Sequence, residues 1–530
     1  MRPMFTVPLA LFSFPLVAIA LFVRAGPAYG MVHTVLLGAL FLPEAIGYDL
    51  PALPPYNKHT AIALGLVLGF WVTRNRGVPV PEAPGAWPRV LRWIMWTVLL
   101  SPIATVALNG DALRFGPHVT PGLGPRDAIS MMTESFTLLV PFVLAWRYMS
   151  DPADHRGLLK AFILAGLGYS LLALFEVRMS PQLHRWIYGF FQHGWAQHIR
   201  GGGFRPIVFM THGLWVGMFL LTTAIAAFAL VRRDPASRRP EPVFVVIGLW
   251  FLGVLFLSRN FGATAIAALL MPVLWLFAPR LQIGVAALIA VLFIVHPAVR
   301  QTGMDPSGFV LEQAGRISAE RAQSFAVRVE NETEFLERAA ERPVFGWGIW
   351  GRWRIRDAET GEDISTSDGR WISLLGERGW VGFLANFGLF VVPILALGAA
   401  GRRRGDLGAS TAGLAMISAA ALIYQIPNNT IGPLLTVIAG ALAGYVARQR
   451  VGEGATAEEG SVLRGPIGYT RFPDGTAPSP SQRAMADEDG VGGAITPRAR
   501  SAAVASSPRP ERREGAPRLR RHSRSRESAS

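Results

Sequence analysis

Arginine and histidine side chains gather beside the ends of apolar segments, in a pattern that suits the binding of an anion. Arg205 stands just before one apolar segment, and His212 follows seven residues later, two helical turns deeper on the same face of a continuous helix. Arg259 lies in the short turn LSRNFGA between two other segments. A guanidinium stays charged and binds phosphate oxygens through two parallel hydrogen bonds. We therefore expect Arg205 and Arg259, together with Arg200, to bind a diphosphate, with structural ion pairing as the alternative.

The candidate general base is Asp368, in the stretch TSDGRWISLLGERGWVG. A hydroxyl that attacks a carbon atom needs a proton acceptor within about 3 Å, and a carboxylate can serve. An Asp that simply forms a turn in Ser-Asp-Gly is the alternative. Glu377 is a second carboxylate nearby and is expected to pair with Arg370 or Arg378. Glu134, two turns into another apolar segment, is interpreted either as part of a polar cavity or as a tolerated charge.

These side chains belong to a chain with the composition of a membrane protein. Its 530 residues are 51% hydrophobic and 16% charged, with a mean hydropathy of +0.33, whereas soluble domains carry about 25% charged residues. The formal net charge of +15 does not indicate nucleic acid, because much of the excess arginine lies in a final tail and in short loops. The absence of cysteine excludes disulfides and thiolate metal sites. We predict no metal and no other cofactor.

Apolar segments long enough to cross about 30 Å of hydrocarbon recur along the first 447 residues. They predict an all-α, polytopic transmembrane helical bundle of about 12–13 spans. A signal peptide within residues 1–29 is the alternative for the first segment. The predicted spans are 5–23, 29–43, 60–73, 90–108, 127–147, 157–175, 206–231, 243–257, 261–278, 281–295, 379–398, 409–425 and 430–447.

The positions of arginine predict the orientation of the bundle, because cytoplasmic loops of membrane proteins are enriched in Lys and Arg. The loops containing TRNRG, RYMSDPADHR, VRRDPASRRP and GRRRGD alternate with the others and are predicted to be cytoplasmic. The loops predicted to face outward are then 109–126, 176–205, 258–260, 296–378 and 426–429. The same alternation places the N-terminus outside with thirteen spans, and a re-entrant early helix is the alternative.

The spans and loops divide the chain into four regions. Residues 1–295 form a transmembrane region, 296–378 a large periplasmic loop, 379–447 the last three spans, and 448–530 a basic cytoplasmic tail. The tail has few large apolar side chains and is therefore predicted to be disordered, with a polybasic arm on anionic lipid as the alternative.

The large loop carries one predicted helix and several tryptophans. A helix is predicted near 318–342 and is expected to lie over the outer mouth of the bundle. Its apolar residues fall on one stripe, which consists of Ala322, Phe325, Ala326, Val329, Leu336 and Ala340. Four tryptophans are expected to anchor the loop at the membrane surface, with stacking on sugar rings as the alternative, namely Trp347, Trp350, Trp353 and Trp371.

The layout of spans and outer loop resembles the O-antigen ligase and O-antigen polymerase superfamily of bacterial envelope enzymes. The phrase RAAERPVFGWGIWG supplies a pattern similar to the family's, through Pro343, Gly346 and Gly348. An SR pair at an outer helix turn is matched by Ser258 and Arg259, and the Gly-x-x-Gly of the ligases by Gly379 and Gly382. The ligases carry a His-Asn/Ser/Gln pair nine residues earlier, where this chain has Asp368 and Gly369.

The resemblance implies inverting, metal-independent transfer of an undecaprenyl-diphosphate-linked glycan to an acceptor hydroxyl. The reaction would take place at the periplasmic face of the bacterial inner (cytoplasmic) membrane. The partners would be the lipid-linked glycan, membrane lipids and a glycan or lipid acceptor, without nucleic acid. Asp368 would be catalytic, and the substrate would be bound by Arg259, Arg205, Arg200, His212 and Arg342.

Three other functions remain open at this point. One is a transporter or flippase of a lipid-linked or anionic substrate, and another is a non-catalytic protein of envelope assembly. The third is a glycosyltransferase of another membrane-embedded class, whose acid would be Glu44 or Asp49 in the first outer loop.

Overall fold

The computed structural model describes residues 3–49, 54–75, 89–200, 202–232, 240–302, 319–365, 369–401 and 407–462. The predicted base Asp368 and the predicted tail beyond residue 462 lie outside these described residues. Within them the chain is almost entirely helical, with three two-stranded antiparallel hairpins in the connections. The fold is the predicted all-α, polytopic transmembrane bundle.

Each predicted span corresponds to a helix. The helices are α1 (Pro3–Phe41), α2 (Lys58–Asn75), α3 (Arg89–Ala107), α4 (Pro125–Tyr148), α5 (Pro152–Met179), α6 (Leu183–Tyr188), α7 (Gly213–Leu230), α8 (Val243–Leu257), α9 (Phe261–Leu276), α10 (Pro279–Gln301), α11 (Ala319–Ala340), α12 (Arg370–Gly401), α13 (Ala409–Tyr424) and α14 (Pro433–Val462). The hairpins are β1–β2 (Gly47–Tyr48, Tyr56–Asn57), β3–β4 (Leu113–Phe115, His118–Thr120) and β5–β6 (Ile199–Arg200, Gly203–Phe204).

Seven helices of the described chain are long and apolar enough to cross a membrane, and four shorter apolar helices accompany them. The shorter helices include α8, α9 and α13, whose buried faces pack inside the bundle. Other large apolar side chains on α8 and α9 are exposed, as a lipid-facing surface requires, including Leu249, Leu269 and Leu276. The protein is therefore a multi-pass membrane protein.

The first helix, α1, is a helical hairpin. Its backbone breaks at Gly26, where φ is 74° and ψ is 173°. A Cβ atom on Gly30 would lie 2.5 Å from the Cα of Phe22, and one on Gly38 would lie 2.9 Å from the ring of Phe14. Residues eight positions apart are about 12 Å apart along a straight helix, so arms 3–25 and 27–41 must run antiparallel. The two separate spans predicted here are confirmed.

Contacts between connecting segments sort the bundle into two ends. At the first, which we call the loop end, Thr6 Oγ1 donates to the carbonyl of Ile187 at 2.8 Å. The short turn 149–151 joins α4 to α5, so these two helices run antiparallel. The segment before α4 and the segment after α5 therefore both lie at the loop end. At the opposite end, Arg448 pairs with Asp151 and Arg156 with Glu241. This division agrees with the alternation predicted from arginine, and the start of the N-terminal arm lies at the loop end.

The predicted loop helix is present as α11. Of its predicted stripe, the side chains of Ala322 and Phe325 lie outside the described part of the chain, and Ala340 is corrected. The buried face of α11 toward its C-terminus consists of Phe335, Leu336 and Ala339, whereas Ala340 is exposed. Ala339 therefore takes the place that the predicted stripe gives to Ala340.

The expected anchoring of the tryptophans at the membrane surface is wrong for three of the four. Trp347, Trp353 and Trp371 are buried inside the protein, and only Trp350 is largely exposed. These three tryptophans belong to the main hydrophobic core of the protein.

Candidate functional site

The start of α12 is broken at Gly379, and the break holds the loop phrase PVFGWG. Gly379 has φ 61° and ψ −168°, a conformation open to glycine alone. The amides of Trp380 and Val381 donate to the carbonyls of Pro343 and Val344 at 2.8 and 3.1 Å. A Cβ atom on Gly346 would lie 2.6 Å from the amide nitrogen of Arg378. The glycines that carry the resemblance thus serve this backbone junction.

The side chains just before the break form a charge network with α4. Arg378 donates to the Glu134 carboxylate at 2.7 Å and to the Ser135 hydroxyl at 2.7 Å. Arg370 lies 3.7 Å from Glu134 and 3.5 Å from Glu377. The pairing of Glu377 with Arg370 is confirmed. Two carboxylates and two guanidiniums balance, so the network carries no net charge.

Glu134, Arg370 and Arg378 of this network line a polar cavity of about 430 Å³ between α2, α4, α12 and the start of α14. Glu134 keeps 55% of its side chain exposed there, whereas Arg378 keeps 3%. Further polar groups in the wall come from α2, α12 and the turn before α14, namely His59, Thr60, Asn386 and Asn429. Arg370, two residues after Asp368, is part of the same wall.

A buried ion pair lies beside this cavity. Lys58 Nζ contacts the Glu44 carboxylate at 2.9 Å and donates to the carbonyl of Phe209 at 3.1 Å. Burial opposes ionisation of Glu44, but Lys58 and His59 outweigh it and hold the pKa of Glu44 below its ordinary value. The Glu44 carboxylate is therefore ionised and held by Lys58, and this pairing makes it a weaker proton acceptor for the alternative transferase class.

Three arginines meet at the loop end, as their predicted role requires. Arg205 Nη2 donates to the carbonyl of Arg259 at 3.3 Å, and Arg259 Nη1 donates to the carbonyl of Arg200 at 2.7 Å. Arg259 itself has φ 56°, an unusual conformation for a side-chain-bearing residue. A Cβ atom on Gly203 would lie 2.5 Å from the Arg259 guanidinium, so that glycine makes room for it. We call these three residues the arginine cluster.

Arg200 and Arg205 of the arginine cluster differ from the members of the charge network in their partners. No carboxylate of the described residues forms an ion pair with Arg200 or Arg205. Burial and the neighbouring charge of Arg200 lower the pKa of Arg205. The ion-pairing alternative is therefore not observed for these two residues within the described chain.

His212 joins the arginine cluster by a different geometry from the one predicted. The chain from Arg205 to His212 is not helical, because α7 begins only at Gly213. His212 is instead the N-cap of α7, and its Nδ1 accepts from the amide of Leu214 at 3.1 Å. A Cβ atom on Gly213 would lie 2.5 Å from Arg205 Cδ, so Arg205 packs against the start of α7.

Two further histidines lie against His212, and sequence reasoning missed both. The ring centroids of His193 and His198 are 4.6 and 4.7 Å from that of His212. Burial, followed by the neighbouring histidines and arginines, lowers the pKa of His198 and of His212 to about 3. The only signal in the sequence was the dense stretch FQHGWAQHIR ahead of THG.

Arg342, which was predicted to bind substrate, contacts other groups of the protein. It pairs with Asp111 at 3.0 Å and donates to the Asn109 side chain at 2.8 Å. Its guanidinium also lies over the ring of Trp347, 4.3 Å from the centroid. These contacts tie the α3–α4 connection to the large loop, so the structure gives Arg342 a structural place apart from the arginine cluster.

Comparison with models of known protein families finds no match, and comparison with curated protein sequences finds none either.

Proposed function

We propose that the protein transfers a glycan from an undecaprenyl-diphosphate carrier to an acceptor hydroxyl, without a metal in the reaction, at the periplasmic face of a bacterial inner membrane. The observation that carries the proposal is the arginine cluster, in which Arg200 and Arg205 have no carboxylate partner among the described residues. Arg200 is exposed, whereas the Arg205 guanidinium is half-buried and its Nε has no hydrogen-bond partner among the described residues. A bound anion relieves the cost of holding that charge partly out of water. A diphosphate supplies the charge and the bidentate geometry.

The cluster would act on the leaving group. As the acceptor oxygen bonds to the anomeric carbon, the bond from that carbon to the diphosphate oxygen breaks and negative charge collects on the lipid diphosphate. Guanidiniums already in place stabilise that charge without reorganisation. Arg259, whose backbone and side chain bond to Arg205 and Arg200, would hold the three in register.

The polar cavity suits the acceptor. It is large enough for a sugar unit, and its wall offers amide, hydroxyl and charged groups. The proton of the acceptor hydroxyl would pass to Asp368, which is joined through Gly369 to Arg370 of the cavity wall. Glu134 and Glu377 are weaker bases for this role, since both are paired with arginine.

The test examines diphosphate binding by Arg205 and proton transfer to Asp368 in separate variants. Purified Arg205→Ala should bind undecaprenyl diphosphate at least about tenfold more weakly than the unaltered protein, the loss expected for one charge-assisted contact. Arg185→Ala removes an exposed arginine of the same connection and should bind normally. Asp368→Asn should retain binding and lose transfer. Equal binding by Arg205→Ala and Arg185→Ala would remove the diphosphate site.

A transporter of a lipid-linked or anionic substrate is the second candidate, favoured by the ion pair between Arg378 and Glu134 inside the bundle. The two functions differ in what they release. In proteoliposomes a transporter moves a labelled lipid-linked glycan between leaflets without changing it. A transferase leaves free lipid diphosphate and a longer or newly attached glycan.

A further inference from the structure

We propose that His193, His198 and His212 bind one Zn²⁺ ion, which fastens the connection between α6 and α7 to the start of α7. The ligand nitrogens of the three rings lie within 4.8 Å of one another. Zinc–nitrogen bonds of about 2.0–2.1 Å in a tetrahedral site place ligand atoms about 3.4 Å apart. Small rotations of the three rings are therefore enough to close them on one ion.

A second observation points to a ligand. His198 is fully buried, yet neither of its ring nitrogens has a hydrogen-bond partner among the described residues. The Nδ1 atom of His193 is also buried without a partner. An imidazole carries one donor and one acceptor, and leaving them unsatisfied inside a protein costs free energy. One ring nitrogen of His198 and the Nδ1 atom of His193 can serve as ligands of a common ion, and an ion bound there would explain why these two atoms lack hydrogen-bond partners.

His212 adds the third ring. Its Nδ1 accepts from the amide of Leu214, so the neutral ring without an ion carries its proton on Nε2. Zinc bound at Nε2 would require that proton to move to Nδ1, and the contact between Nδ1 and the Leu214 amide would then open. All three ligands are imidazoles, which suit zinc and other late transition metals better than Mg²⁺ or Ca²⁺.

The nearby arginines do not forbid a cation. Arg200 is exposed, so its charge is screened by water and salt. Arg205 directs Nη2 away to the carbonyl of Arg259. Three protein ligands also leave a fourth position for water or hydroxide, and hydroxide would offset part of the positive charge.

The ion acts on structure and takes no part in the proposed transfer. The amide of Arg205 donates to the carbonyl of His198 at 2.8 Å, so the position of His198 is transmitted to the arginine. Zinc would hold His193 and His198 of the α6–α7 connection against the cap of α7, and with them the strands of hairpin β5–β6.

The site is tested on the full chain, purified with a tag that contains no histidine. Protein stripped with a chelator should bind one Zn²⁺ per chain in calorimetry, and zinc should raise its thermal unfolding temperature. Bound Co²⁺ should show the visible absorption of tetrahedral nitrogen coordination. His198→Ala should weaken Zn²⁺ binding more than about 100-fold, since it removes a direct ligand. His118→Gln, in hairpin β3–β4, is the matched control and should bind as the unaltered protein does.

The outcomes are separate from those of the proposed function. Arg205→Ala should keep its zinc, because that residue is not a ligand. The unaltered protein failing to take up Zn²⁺, or His198→Ala binding it as tightly, would overturn the site and leave the transferase proposal standing. Because the Co²⁺ spectrum is read on the unaltered protein, a variant that does not fold leaves the question answerable.

Discussion

Charged side chains inside this bundle fall into two groups that differ in their neutralisation. Arg370, Arg378, Glu134 and Glu377 balance one another, whereas Arg200 and Arg205 find no carboxylate within the described chain. A balanced network mainly supports the fold, because removing one member leaves another member without its partner of opposite charge. For Arg200 and Arg205, the proposed diphosphate would supply the negative charge that the described chain does not.

Arg378→Ala is expected to lower stability by about 1–3 kcal/mol, because it leaves Glu134 with a single, more distant arginine. The cost falls short of that for a fully buried pair, since the Glu134 side chain is 55% exposed to the cavity. Thermal unfolding in detergent measures it. Arg354→Ala breaks the exposed pair with Asp363 and should cost at most about 1 kcal/mol. Equal losses in the two variants would contradict the structural role of Arg378.

His184 gives the protein a pH-dependent stability. Its Nδ1 donates to the carbonyl of Phe190 at 2.9 Å and its Nε2 accepts from the amide of Glu44 at 3.3 Å, so the neutral ring is fully bonded. Burial holds the pKa of His184 below its ordinary 6.5; the Phe190 carbonyl opposes this, as does the charge of Glu44, while Lys58 adds to it. As the pH falls, the unfolded chain therefore binds the His184 proton before the folded chain does. The contribution of His184 to the free energy of unfolding is full well above pH 6.5 and is lost as the pH drops below it.

The slope from His184 is at most about 1.4 kcal/mol per pH unit. Thermal unfolding of the unaltered protein should shift downward between about pH 8 and pH 5.5. His184→Gln should be less stable at the higher pH and show a flatter dependence, whereas His118→Gln should keep the full slope. Identical slopes in all three proteins would rule out this contribution.

Sequence reasoning reached some of the site residues and not others, for a physical reason. Arg205 and Arg259 were predictable because each lies at the end of an apolar segment, and the order of the spans alone places both segment ends at the same end of the bundle. The partnership of Arg378 with Glu134 depends on how α12 packs on α4, which no local pattern encodes. His193 and His198 were missed because the irregular chain between α6 and α7 has no periodicity to read.

At the scale of elements, the break in α12 is the feature that the sequence marked but did not explain. In the sequence, Gly379 and Gly382 supply the Gly-x-x-Gly pattern of the resemblance, at the start of a predicted span. The structure uses Gly379 to interrupt the helix, so that Trp380 and Val381 bond to the loop phrase at Pro343 and Val344. Hydrophobicity predicts that a helix exists, but the backbone conformation within it depends on the loop that returns to it.

Gly379→Ala should therefore destabilise the protein by about 1–3 kcal/mol or more. The new Cβ atom would lie 2.4 Å from the carbonyl oxygen of Val344, in a backbone conformation that alanine avoids. Gly253→Ala in α8 is the matched control, because its added Cβ atom meets nothing within 4 Å. That control should be neutral or slightly stabilising. Thermal unfolding of the two variants side by side measures the difference, and equal behaviour would mean that the break tolerates a side chain.

For the whole molecule, the alternation of arginine-rich loops and the contacts at the two ends are independent of each other and agree. The arginine rule uses only composition, whereas the pairing of Arg448 with Asp151 and of Arg342 with Asp111 comes from packing. Packing says which segments share an end. Only the charge rule says which end faces the cytoplasm.

The orientation can be tested directly, because the chain has no cysteine to remove first. Arg114→Cys and Arg185→Cys introduce exposed thiols at the loop end, and Pro240→Cys and Ala278→Cys introduce them at the opposite end. The excess of arginine in the loops at the opposite end predicts that this end is cytoplasmic. A maleimide that cannot cross the inner membrane should label the first pair in intact spheroplasts and the second pair only after lysis. The reverse pattern would place the arginine cluster in the cytoplasm, where transfer at the periplasmic face is impossible.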